Sequence, residues 1–290
     1  EFVGDQTLGG TGTVELSNNL ERIITNNTTL TNGADHIIRG SGNLLSNTGG
    51  MVNQGTILAD ATGTLVIDPN GLGFVNRGTV QVTGSGGLDF TGTYVQDAGL
   101  TNVNTLLDVS QNVSIEGGVL SGNGTVRANN GNGTVTVSDG GAIAAGNTPG
   151  TLIIDGDFVQ TATGATEVEL FGFNTGIDHD FFDISGSATL AGVLDILLDA
   201  TFATTLAIGN EFEIMAADDG IFGFYQTLTV NFAGFAFDQD VRGNSLFLVT
   251  TQLGQIDPPD DIPEPATITL LGLPLAGLWA ARRRRRKLAA

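Results

Sequence analysis

The sequence predicts an all-β protein built as a solenoid of stacked coils, and three observations carry that expectation. The composition is rich in turn formers: 43 of the 290 residues are glycine, while long helix-forming side chains are sparse, which favours many short strands joined by Gly and Asn turns. From about residue 8 to 155 one phrase recurs, Gly-Thr followed by an aliphatic residue: Gly12-Thr13-Val14, Gly55-Thr56-Ile57, Gly63-Thr64-Leu65, Gly78-Thr79-Val80, Gly124-Thr125-Val126, Gly133-Thr134-Val135 and Gly150-Thr151-Leu152. Two matches are longer, Asn53-Gln54-Gly55-Thr56-Ile57 and Asn76-Arg77-Gly78-Thr79-Val80, and the interval from Gly78 to Gly124 is twice that from Asn53 to Asn76. A repeat of this length suits one coil of three short strands and three turns.

The first region, 1–155, follows this logic. No coil can bury its apolar face alone, so coils stack and their aliphatic residues share one interior. Thr64-Leu65-Val66-Ile67-Asp68 reads as a strand ended by the turn formers Asp68-Pro69-Asn70-Gly71, and Asn129-Asn130-Gly131-Asn132-Gly133 is similar punctuation. A β-sandwich built from the same hairpin signals is the alternative. In the second region, 156–252, glycine thins and bulky residues enter: thirteen of the sixteen phenylalanines lie at or beyond Phe158. Apolar or alternating runs such as Val193-Leu194-Asp195-Ile196-Leu197-Leu198 and Ser245-Leu246-Phe247-Leu248-Val249 predict further strands, as a C-terminal β cap or a sandwich-like region.

Part of the chain resembles a known group. Gly117-Gly118-Val119-Leu120-Ser121-Gly122-Asn123-Gly124-Thr125-Val126 and Ala144-Ala145-Gly146-Asn147-Thr148-Pro149-Gly150-Thr151-Leu152 are similar to the late passenger repeats of autotransporter-like proteins, as are Asp180-Phe181-Phe182-Asp183-Ile184-Ser185-Gly186 and Ala191-Gly192-Val193-Leu194. The resemblance implies a right-handed parallel β-helix and its closing region, and it says almost nothing about activity.

Charge narrows the partners. Six of the eleven basic residues form one terminal run, and removing them takes the net charge of the remainder from −20 to −26. Such a body repels a phosphate backbone, so nucleic acid is not an expected partner. There is no cysteine, so disulfides, thiolate metal sites and cysteine nucleophiles are excluded. The chain starts at Glu1-Phe2-Val3-Gly4 with neither an initiator Met nor a signal segment. The expectation is that a signal peptide has been removed or that the sequence is a fragment.

The remaining residues divide into an acidic, Pro-containing linker at 253–262 and a tail at 263–290. The tail opens on Pro263-Glu264-Pro265, continues uncharged from Ala266 to Ala281, and ends on Arg282, Arg283, Arg284, Arg285, Arg286 and Lys287. As a single transmembrane helix, the sixteen uncharged residues would span roughly 24 Å against a hydrocarbon core of about 30 Å, so arginine snorkelling would have to make up the difference. The basic cluster fixes the arginines on the cytoplasmic side, with the body across the membrane. The order Pro-Glu-Pro-Ala-Thr, Leu-Leu-Gly-Leu and terminal Arg run resembles the PEP-CTERM sorting signal, the target of exosortase membrane proteases. The resemblance implies an exported, inner-membrane-anchored precursor, recognised through Pro263, Glu264 and Pro265. After cleavage the body would pass to the cell surface or the exopolysaccharide matrix of a Gram-negative bacterium.

The residues that carry catalytic chemistry elsewhere are scarce. His179, in Asp178-His179-Asp180-Phe181-Phe182-Asp183, reads as part of a surface turn, because strand alternation would set it opposite Asp178 and Asp180. His36 has only Asp35 beside it. No stretch follows the EF-hand or nonapeptide calcium patterns, and Asp218-Asp219 is at most a weak site. No cofactor, metal ligand or catalytic residue is therefore expected. A non-catalytic structural surface protein is the first functional reading, a carbohydrate-binding adhesin the second and a polysaccharide-degrading β-helix enzyme the third. The adhesin reading is weakened because the one tryptophan, Trp279, lies in the tail, leaving Tyr94 and Tyr225.

Overall fold

The computed structural model describes residues 1–147 and 149–255. Over these residues the chain is an all-β solenoid with three faces, here named A, B and C. Seven complete turns each contribute one strand to every face, beginning with Gly50–Asn53, Thr56–Ala59 and Leu65–Ile67 and ending with Ala188–Leu190, Val193–Leu198 and Glu211–Ala217. Before them, Thr13–Ile24 and Ile37–Leu45 each run unbroken across faces B and C and pair with a register shift between Ser17 and Arg22. Gly40, at φ +101°, makes that corner possible, because a β-carbon there would sit 2.1 Å from the Leu16 carbonyl oxygen.

Stacking is parallel and in register, so equivalent residues form columns through the interior. On face C, Leu65, Leu88, Leu107, Val126, Ile154 and Ile184 succeed one another, all fully buried. Alternate residues of each strand point outward, the expected period of two. Thr56 pairs with Thr79, as the interval between the two long repeats requires. The doubled interval to Gly124 does not hold: Thr79 belongs to the face B column through Leu100 and Val119, whereas Thr125 pairs with Leu106 on face C. The reason is that turns differ in length. Asn76 pairs with Gln96 and Tyr94 with Val113, both shorter steps along the chain than Asn53 to Asn76. The Gly-Thr phrase therefore marks strand entries on all three faces rather than one.

The glycine of that phrase has a steric role on face B. A β-carbon at Gly78 would lie 2.2 Å from the Gly55 carbonyl oxygen, and one at Gly99, which holds the same place in the next coil ahead of Leu100, 2.0 Å from that of Gly78. Successive coils approach there too closely for any side chain.

Parallel pairing crosses residue 155 without interruption. Val135 pairs with Phe158, Phe158 with Ala188 and Ala188 with Ile221, each step longer than the one before, while the stack continues to Thr227–Val230. Among the described residues only the last two strands, Ala236–Arg242 and Ser245–Gln252, pair antiparallel; Ser245–Gln252 adds to Glu211–Ala217 and closes face C. Gln239 then reaches over the end of the stack, accepting from the Tyr225 N–H at 3.0 Å and donating to its carbonyl at 2.9 Å. That single side chain satisfies both backbone groups of Tyr225.

Candidate functional site

Two places hold the groups of interest: the corner between faces B and C in the last coils, and the polar interior beneath the corner between faces A and B. The first corner is built by excursions that lengthen the late coils, residues 171–180 and 199–210. His179 sits at its centre and is not in a surface turn. It is 1% exposed, with Nδ1 3.1 Å from the Gly172 carbonyl oxygen and Nε2 3.1 Å from that of Glu213. Strand alternation does not apply, because Asp178 and His179 lie outside any strand. Burial pushes the imidazole below its ordinary pKa, and the neutral ring donates from one nitrogen at a time. The Phe212 ring meets it edge-on, and Phe173, Phe202 and Phe237 pack around Phe212.

Asp180 is equally buried and turned the other way. Its two carboxylate oxygens accept from the Gly150 N–H at 2.8 Å and the Glu169 N–H at 2.9 Å, tying two successive coils together. Burial, with the Glu169 charge beside it, pushes its pKa up to about 7 against the pull of those two N–H groups. Outside lies a cleft of about 230 Å³ bounded by Ser121, Asn147, Glu167, Glu169, Asp180 and Leu197. Glu167 stacks on Asp195 of the next coil, and burial together with that like charge raises its pKa. Glu169 is raised by burial and by Glu167. Among the described residues, no three acidic or histidine side chains are grouped to hold a metal ion. Asp218 and Asp219 sit in a turn, their N–H groups bonded to Ile184 and Gly186.

The second place has no counterpart among the sequence expectations. Asn32, Asn53, Asn76 and Gln96 are fully buried and stacked. Each amide donates to the next carbonyl oxygen, at 2.8, 2.8 and 3.1 Å, and Gln96 ends the run on the Gly117 and Val119 carbonyls. His36 begins it, with Nδ1 2.8 Å from Asn32 Oδ1. Beside the run's end, the Tyr94 hydroxyl lies 2.6 Å from that of Thr101, which donates to Gln96 Oε1 at 2.6 Å. The same grouping returns three coils later with Tyr225, Thr166 and Gln160. The readable signal is the Asn that opens both long repeats, Asn53 and Asn76, a residue type that in a linear sequence reads as turn punctuation.

The sequence-predicted sorting residues Pro263, Glu264 and Pro265, the uncharged stretch 266–281 and the cluster Arg282, Arg283, Arg284, Arg285, Arg286 and Lys287 lie outside the described residues. Among those described, no helix is long and apolar enough to cross a membrane. What decides the tail is its match, over residues 261–286, to the family model of the PEP-CTERM protein-sorting motif. The chain carries a PEP-CTERM sorting motif. The motif marks an exosortase-targeted protein and goes with export and surface sorting; exosortase is itself a membrane protein. No curated protein matches the chain.

Proposed function

We propose that this chain is a non-catalytic structural protein of the cell surface or exopolysaccharide matrix, held in the inner membrane by its tail until an exosortase releases the body. The observation that carries the reading is the PEP-CTERM motif at 261–286, joined to a body in which the amide run from Asn32 to Gln96 and the Asp180 carboxylate bond coil to coil. Both oxygens of Asp180 and both ring nitrogens of His179 face backbone groups, which supports a structural role for both. Substituting Pro263, Glu264 and Pro265 together with alanine tests the sorting half. Precursor should accumulate in the inner membrane of an exosortase-containing host, and normal processing of the variant would contradict the reading. Turnover of a polysaccharide panel by the purified chain would contradict the non-catalytic half.

One observation favours a second reading, a carbohydrate-binding adhesin. The corner cleft combines hydroxyl, amide and carboxylate groups with the exposed Leu197, a mixture suited to sugar hydroxyls. Exopolysaccharide binding that is lost in Glu167→Gln would support it over the purely structural reading.

A further inference from the structure

The sequence holds five Asn-Gly pairs, at Asn32, Asn70, Asn123, Asn130 and Asn132. This dipeptide is chemically labile because glycine has no β-carbon to shield its nitrogen. The main-chain nitrogen attacks the Asn side-chain Cγ, the C–N bond to the amide breaks, ammonia leaves, and the resulting succinimide takes up water to give Asp or isoAsp. Atoms balance with water as the only co-reactant. Folding decides which pair reacts, since the attack needs a mobile side chain and a backbone free to rotate.

Four of the five are held. Asn32 lies inside the buried amide run, and the Gly33 N–H is bonded to the Leu8 carbonyl at 2.8 Å. Asn70 is fixed through both side-chain atoms, Oδ1 accepting from the Leu72 N–H and Nδ2 donating to Asn27 Oδ1. For Asn123 the following glycine is buried, with its N–H bonded to the Val103 carbonyl at 2.8 Å. Asn132 donates to the Asn130 carbonyl at 3.1 Å, and the Gly133 N–H is bonded to the Ala128 carbonyl at 2.9 Å.

Asn123 and Asn132 are exposed as well, but the glycine after each is bonded, and of the five only Asn130 has a positive φ. Asn130 is exposed, its side chain has no hydrogen-bond partner among the described residues, and it sits at φ 51°, ψ 42°, in the left-handed region that L residues seldom adopt. We infer that Asn130–Gly131 is a self-modification site, the position at which the folded protein converts an asparagine to aspartate or isoaspartate. The new carboxylate would enter the open cleft that Asn130 shares with Asp89 and Asp108. Those two carboxylates already stand on adjacent strands, so the conversion adds a third negative charge to one patch.

Incubation of the full chain in detergent at mildly alkaline pH, followed by peptide mass spectrometry, tests this. The peptide spanning Asn129 to Asn132 should gain one mass unit, placed by its fragment ions at Asn130 and not at Asn132, and release isoaspartate. Asn130 should lead the other four by about fivefold or more, the ratio that one ordinary hydrogen bond of about 1 kcal/mol restraining the competitors implies. In denaturant the five should react at similar rates, because the ranking comes from the fold. Asn130→Gln should abolish the gain in that peptide alone. The inference is overturned if another Asn-Gly pair reacts first in the folded chain, if the folded and denatured rankings coincide, or if the gain persists in Asn130→Gln.

Discussion

The early coils and the late coils solve the same stacking problem with different chemistry. Between Asn32 and Gln96 the interior carries a hydrogen-bonded run of amides, and the steps between coils are short, as from Asn32 to Asn53, Asn53 to Asn76 and Asn76 to Gln96. From Phe158 onward the steps lengthen, from Phe158 to Ala188 and from Ala188 to Ile221, and aromatic rings, grouped earlier only at Phe74, Phe90 and Tyr94, gather beside the corner excursions. An amide run demands that each coil present its Asn at one position, so it constrains register and keeps coils short. An aromatic core asks only for filled volume, which lets loops grow without disturbing the stack. The longest excursions accordingly lie in the late coils, beside His179, Asp180 and the cleft.

The sharpest way to break this contrast is Asn53→Ala. It removes three hydrogen bonds at once, those with the Asn32 amide, Asn76 Oδ1 and the Thr79 carbonyl, while Asn32 keeps the His36 and Thr56 carbonyls and Asn76 Oδ1 keeps the Gly78 N–H. At about 1 kcal/mol for each bond lost, with the cavity added, the loss should reach about 4 kcal/mol, read as a lowered thermal midpoint. Phe158→Ala, in the late core, should cost about 3–4 kcal/mol through the cavity it leaves. If the aromatic core tolerates volume change as argued, Phe158→Leu should recover most of that loss, whereas Asn53→Leu should not recover the first. Thr101→Val and Thr166→Val remove the hydroxyl that links Tyr to Gln in each region. Each should cost about 1–2 kcal/mol, and similar values for both would show that the two groupings are equivalent modules.

A smaller effect appears with pH. The Asp180 pKa is raised in the folded state to about 7, so its contribution is present in acid and is lost as pH rises through about 7. His179 is lowered, so its contribution is present above the ordinary histidine range and falls away as pH drops below it. Wild-type stability should therefore rise as pH falls from about 7 toward the ordinary carboxylate range near 4, with His179 opposing part of that rise below about 6.5. Asp180→Asn should remove the part of that rise due to Asp180, measured as thermal midpoint against pH. The smallest effect is expected at Arg77→Ala. Its bidentate pair with Asp97 is exposed, and the variant should melt with wild type at moderate salt.

The solenoid was legible because its signal is local and repeated. The pairing of Thr56 with Thr79 follows from the spacing of the two long repeats, which survives in the stack. The extension to Gly124 failed because a linear count cannot register that the steps from Asn76 to Gln96 and from Tyr94 to Val113 are shorter than that from Asn53 to Asn76. The amide run was missed for a different reason: asparagine is a turn former by propensity, and only the fold shows that Asn53 and Asn76 point inward. Strand alternation misplaces His179, because residues 171–180 form a corner excursion and not a strand. The tail was readable because its order of signature, uncharged stretch and basic cluster is itself linear.

A body released from its sorting tail is most directly tested by the intact mass of the mature protein from its native, exosortase-containing host. The expected mass is that of a chain that ends near Pro263-Glu264-Pro265 and lacks Arg282, Arg283, Arg284, Arg285, Arg286 and Lys287. A mature protein that still carries those residues would contradict the sorting role.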